Sequence, residues 1–190
     1  MPKTHWFRDL ERPPEEVGAA VAMRAWRSAT SAVRTLAEDG PITDRTGGHL
    51  ALVEELLLLV VQHADRLAWL RGIGDGARRR LMEAMVERLA HGFSDHAGEQ
   101  EAGHAFLKRA GRRLDEYATI AYGGNDGEEP GFAVYNLLGS RGCEATGRDR
   151  DLWLHGRLAE VEGPELIAEM HPVVVELLRN LETPGGVSAG

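Results

Sequence analysis

The sequence predicts an all-α protein, an irregular bundle of six or seven helices around a central apolar helix at about residues 50–71. Three observations carry that expectation. Apolar residues recur at three- and four-residue spacing in one segment after another, no segment alternates with the two-residue period of a strand, and the segment 49–71 has an apolar arc too broad for a single neighbour. A single domain over residues 1–182 follows, with a loosely ordered lead-in over 1–12 and a flexible tail over 183–190.

The first helix is expected over about 14–38. Pro13 and Pro14 pre-set the backbone for a helix start, and Glu15 and Glu16 complement the positive end of its dipole. Val17, Val21, Ala25, Ser28, Ala32 and Leu36 mark its buried face, and Asp39-Gly40-Pro41 breaks it. On the central helix one wide face carries Leu50, Val53, Leu56, Leu57, Val60, Val61, Ala64, Leu67 and Ala68, with Leu52, Leu59 and Leu70 at its margin. The narrower face holds Glu54, Glu55, Gln62, Asp65 and Arg66. An arc of that width has to touch several helices, which puts the segment in the middle of the bundle.

After Gly72-Ile73-Gly74, Asp75 is the expected N-cap of a third helix with a seam of Leu81, Met82, Met85, Leu89 and Phe93, ending between Gly92 and Gly98. A fourth, over about 99–122, aligns Phe106, Leu107, Ala110, Leu114, Tyr117, Ala118 and Ala121. The tract from Gly123 to Gly131 is rich in turn formers and acids and reads as a loop. Residues 132–147 are helical but crowded with Gly139, Ser140, Gly142, Cys143 and Ala145, a composition that suits a close helix crossing. A short helix over about 149–161 and a final one over about 164–182, kinked at Pro172, complete the chain.

A formal net charge of -8 repels phosphate, so bulk binding to nucleic acid or an anionic membrane is disfavoured. Cys143 is the single cysteine and forms no internal disulfide, and the first residues lack the apolar core of a secretory signal; the expected location is the cytoplasm. The longest apolar run, Leu56 to Val61, is far too short to span a bilayer.

Several residues are candidates for chemistry. His63 falls within the apolar arc of the central helix, where it is either a satisfied core histidine or a ligand or acid/base group facing a pocket, with Glu54, Asp65, His104 and His171 as candidate co-ligands. Glu54, Glu55, Asp65, Arg66 and Trp69 form a charged and aromatic strip that reads as the solvent side of the helix or as a cleft or partner surface. Glu101 and His104 have the Glu-x-x-His spacing with which diiron carboxylate bundles place two metal ligands on one helix, although the chain has no second copy and both lie off the Phe106/Tyr117 face.

Arg78-Arg79-Arg80 and the group Lys108, Arg109, Arg112 and Arg113 read as solvated charge or as a site for an anion or an acidic partner. Cys143, with His155 downstream, reads as a buried structural thiol. No nucleophile elbow, phosphate loop, His-Glu-x-x-His, His-x-x-x-His or paired Cys-x-x-Cys occurs, and the sequence names no cofactor.

The reading that follows is a non-enzymatic binding or oligomerisation domain acting on a protein partner or on itself. It draws on the Trp69 strip and the small-residue helix, both suited to interfaces. The alternative is a helical bundle binding a small ligand or metal, with His63 near the pocket, and an enzyme using that pocket for acid/base chemistry is a third.

Overall fold

The computed structural model describes residues 12–40, 48–123 and 127–181, and among these there are helices and no strand. The chain runs through α1 (Pro14–Asp39), α2 (Gly48–Leu70), α3 (Asp75–Ala97), α4 (Gln100–Ala118), α5 (Phe132–Ala145), α6 (Leu152–Arg157) and α7 (Gly163–Leu178). The expected lead-in, apart from Arg12, and the tail over 183–190 lie outside the described residues, as does part of the glycine-rich loop.

α2 is the centre of the bundle, touching α1, α3, α4, α5 and α7. Every residue from Leu52 to Val61 is buried, so the helix is enclosed on all sides over these turns. That enclosure takes in Glu54 and Glu55, which the helical wheel assigns to the polar face. Both carboxylates are nevertheless sealed from solvent, because α4 lays arginines over them.

α1 packs along α3, and α3 along α4. The α1–α3 crossing is closest at Gly18, where a β-carbon would sit 2.3 Å from the Leu81 carbonyl oxygen. Trp26 of α1 meets Phe93 edge-on at 4.9 Å, and Phe93 stacks on Phe106 of α4 at 4.6 Å, tying the three helices through one aromatic column.

Three details differ from the pattern-based expectations. Gly74, not Asp75, is the N-cap of α3, and Asp75 lies inside the first turn, where its charge still favours the helix dipole. α4 stops at Ala118, so Ala121 falls outside it, and Leu107 and Ala118 of its expected inner face are exposed. The third concerns the join between the last two helices. No break separates them: α6 passes into a π-helical turn, Leu158–Glu162, that feeds directly into α7.

The Gly163 N–H bonds back five residues to the Leu158 carbonyl. Pro164, one residue on, has no N–H to offer the preceding turn, so the widened turn falls where the ladder is already interrupted. Arg157 and Glu162, five apart, face each other across it at 2.7 Å. Pro172 lies inside α7 without ending it.

The small residues of α5 do permit close crossings, and they are used within the molecule. A β-carbon at Gly139 would lie 2.8 Å from the His155 carbonyl oxygen, and one at Gly142 would lie 2.2 Å from a Leu158 methyl. Among the described residues, no helix is long and apolar enough to cross a membrane.

Candidate functional site

Polar side chains interrupt the apolar surface of α2 at two places, and each is answered by a partner from elsewhere in the chain. The first is Glu54-Glu55. Arg109 donates from Nε and Nη2 to the two Glu54 oxygens at 2.6 and 2.7 Å, and Arg113 does the same to Glu55 at 2.8 Å for both bonds. The match is one of period: Arg109 and Arg113 are one turn apart on α4 and so share a face, which presents two forks side by side to the adjacent carboxylates.

Glu54 and Glu55 are both buried, but the pairs differ: the Arg113 side chain is largely covered along with Glu55, at 16% exposed, whereas Arg109 keeps 47% of its side chain exposed. Burial pushes the Glu55 carboxyl above its usual range, against the pull of Arg113. Arg113 also donates to Glu116 at 2.5 Å, and Arg141 of α5 reaches Glu116 from the other side at 3.0 Å and pairs with Glu144. Next to this network the hydroxyl of Tyr117, a residue 1% exposed, has no hydrogen-bond partner among the described residues. Burial first, and then the Glu55 carboxylate, hold its proton on and raise its pKa.

The network lines a cleft of about 630 Å³ between α2, α4 and α5, within the range of about 300–1,000 Å³ usual for small-molecule sites. Four arginines (Arg109, Arg112, Arg113, Arg141) and four glutamates (Glu54, Glu55, Glu116, Glu144) line it, together with an apolar wall that includes Leu50, Phe93 and Ala105. Arg112 is exposed at the rim, and among the described residues it has no carboxylate partner. The lining can therefore offer a guanidinium to an incoming anion without first breaking a buried pair.

The second interruption is His63, 0% exposed. Its Nδ1 lies 2.6 Å from the Tyr122 hydroxyl and its Nε2 lies 3.2 Å from Nδ1 of His171 on α7. The far nitrogen of His171, Nε2, faces Glu128 at 3.7 Å, and Arg71 approaches the same carboxylate at 3.9 Å. Burial first, and then the neighbouring His171 and Arg71, lower the His63 pKa to about 3. At neutral pH His63 is an uncharged ring with both nitrogens engaged. Of the four candidate co-ligands, the fold brings His171 to it; Glu54 is committed to Arg109, Asp65 to Arg78 at 2.7 Å, and His104 lies on the outer face of α4.

No family model, curated protein or solved structure matches this chain.

The remaining candidates fall outside both clusters. Arg66 donates to the Gly127 carbonyl at 3.1 Å and lays its guanidinium 4.5 Å over Trp69, which is 53% exposed. Glu101 and His104 are 86% and 72% exposed and 3.9 Å apart, and no group of three or more His, Cys, Asp or Glu side chains is arranged to hold a metal among the described residues. The two arginine groups do not pool, since Arg78 goes to Asp65, Arg80 to Glu15, Arg109 to Glu54 and Arg113 to Glu55. Cys143 is buried, with its thiol pKa raised by that burial, and its Sγ lies 3.5 Å from the Asp151 carbonyl.

The sequence marks Arg109 and Arg113 within a basic group that reads as solvated charge or an anion site, but not their pairing with Glu54 and Glu55, and it does not mark Tyr122 as a site residue. The one-turn spacing of the two arginines, matched to adjacent glutamates on another helix, is the signal for that pairing. Tyr122 had only its place at the mouth of the glycine loop to mark it.

Proposed function

We propose that the protein is a non-enzymatic binding domain of the cytoplasm whose cleft between α2, α4 and α5 holds a small organic anion with an apolar body. The observation that supports this reading is the composition of the cleft: among the described residues Arg112 makes no ion pair, apolar residues share the lining with it, and Arg109 and Arg113 hold Glu54 and Glu55 in bidentate pairs. Paired charges keep the cleft shaped while contributing little net field, so the anion is recognised by Arg112 and by the outer edge of Arg109. The single, buried Cys143 suits a reducing compartment, and the net charge of -8 keeps nucleic acid out of the proposal.

Association with a protein partner or a second copy is the other reading. It is favoured by exposed Trp69, Phe132 and Leu152. It loses the small-residue face of α5, which is taken up by Leu158 and His155 of the same chain.

Native mass spectrometry of the chain purified from its own host separates the two. The small-ligand reading expects a non-covalent excess over 20.8 kDa per chain that Arg112→Ala abolishes. Clean integer multiples of 20.8 kDa, with nothing bound, would overturn it in favour of self-association.

A further inference from the structure

Among the described residues, His63 is the one wholly buried histidine, and its two ring nitrogens each face a group able both to give and to accept a proton. A neutral imidazole carries a single proton, so its two hydrogen bonds cannot be set independently: one nitrogen donates and the other accepts. When His171 is neutral and its Nδ1 accepts, the His63 proton is on Nε2, and His63 Nδ1 accepts from the Tyr122 O–H. When His171 is an imidazolium, its Nδ1–H must donate to His63 Nε2; the His63 proton then belongs on Nδ1, where it points at the Tyr122 oxygen 2.6 Å away.

We propose that Tyr122, His63 and His171 form a tautomeric relay, in which proton uptake by His171 turns the Tyr122 hydroxyl from hydrogen-bond donor to acceptor while His63 stays neutral. One proton is taken up and resides on His171. The His63 proton changes nitrogens, and the Tyr122 O–H keeps its proton but swings it away from the ring. No oxidant or further reactant is involved.

The surroundings favour both end states. His171 is partly exposed and its Nε2 faces the Glu128 carboxylate at 3.7 Å. Among the described residues no carboxylate faces His63: Arg71, and His171 once charged, both oppose a second proton on it, and its burial removes the water that would solvate one. The other charged or titratable groups facing the relay come from several elements. Arg66 of α2 lies 5.7 Å from the Tyr122 ring, and Tyr135 of α5 and Tyr117 of α4 lie close enough to raise the Tyr122 pKa. On α7, Glu169 is two residues from His171 and so on another side of the helix, held there by Arg24 and Ser28 of α1.

The two ends of the relay are joined outside it. Tyr122 and Glu128 belong to the same connection between α4 and α5, and the Gly131 N–H closes its neck on the Tyr122 carbonyl at 2.5 Å. A proton arriving at His171 is thus felt at both Glu128 and Tyr122, by charge at one and by reversed hydrogen bonding at the other.

Long-range nitrogen–proton NMR correlations on the full ¹⁵N-labelled chain, followed from pH 8 to pH 5, test this. The expected result is that the two His63 nitrogens exchange roles, protonated for unprotonated, with the midpoint of the His171 titration. In His171→Ala the His63 ring keeps the proton on Nε2 over the whole range. A wild-type His63 that holds one tautomer while His171 titrates, or that becomes doubly protonated with it, would overturn the relay, as would a tautomer exchange that survives in His171→Ala.

Discussion

Arg113 meets Glu55 as a fork meets a fork, with Nε and Nη2 each 2.8 Å from a carboxylate oxygen, and Glu55 is almost entirely screened from water. The pair and its neighbour, Arg109–Glu54, fasten α4 to the central helix. Attraction between buried charges roughly offsets their desolvation, so the pair matters most when one member is removed and the other is left stranded. Arg113→Met should therefore cost about 3–5 kcal/mol, and the double variant Glu55→Leu/Arg113→Met should recover most of that loss. Urea unfolding of the two variants gives the comparison; equal destabilisation by both would contradict it.

The rim and floor of the cleft should separate in their effects. Arg112→Ala strands nothing and should change stability by less than about 0.5 kcal/mol, while weakening a bound anion by about 1.5–3 kcal/mol, or roughly ten- to more than a hundredfold. Arg109→Ala should instead lower stability, because Glu54 is left buried without its partner. Thermal melts beside ligand titration distinguish them, and a destabilised Arg112→Ala would count against the assignment of that side chain to the ligand.

His63 should make the fold sensitive to acid. Its pKa in the folded state lies near 3, below the ordinary histidine value of 6.5 that it regains on unfolding. The unfolded chain therefore binds the proton first; the stability contributed by a neutral His63 is intact above pH 6.5 and drains away as pH falls toward 3, at about 1.4 kcal/mol per pH unit. Between pH 7 and pH 5 this amounts to about 2 kcal/mol. His63→Gln should flatten the stability–pH curve by that amount, as read from denaturant unfolding at a series of pH values; parallel curves for the two proteins would refute the assignment.

At the α1–α3 crossing the contact is backbone on backbone, since a β-carbon on Gly18 would meet the Leu81 carbonyl and the Met85 N–H. Neither atom can swing aside. Gly18→Ala should lower stability by about 1–3 kcal/mol through overpacking, despite alanine's advantage of about 1 kcal/mol over glycine in a helix. The melting temperature should fall by about 3 °C for each kcal/mol lost, and a stabilised variant would show that the helices move apart freely.

The bundle was legible where the information is local. The apolar arc from Leu50 to Ala68 announces a helix with several neighbours because its periodicity resides within one segment, and α2 is indeed enclosed by five others. Glu54 and Glu55 were placed on the outer face because a helical wheel contains no second helix; what buries them is Arg109 and Arg113, more than fifty residues downstream. Likewise His63 could be recognised as buried from its place among leucines. Its partners could not, since Tyr122 and His171 come from separate elements and only the fold sets them at hydrogen-bonding distance. Residues 162–163 fall between the helices expected over about 149–161 and 164–182, the second of which would open on Pro164. Here the backbone absorbs the missing donor by widening a turn instead.

That widened turn also fixes a phase. The buried stripe of the last helices steps from Leu158 to Gly163 and on to Ile167, Met170 and Val174, five residues at the first step and three or four thereafter. Each α-helical residue turns the chain by about 100°, and the wide turn takes up one residue more than an α-helical turn, so tightening it to a regular α-helix without deleting a residue would rotate everything beyond it by about that angle. His171 would then point away from α2. The angular setting on which the histidine contact depends is thus made by a stretch of backbone that touches neither ring, some ten residues before the second of them.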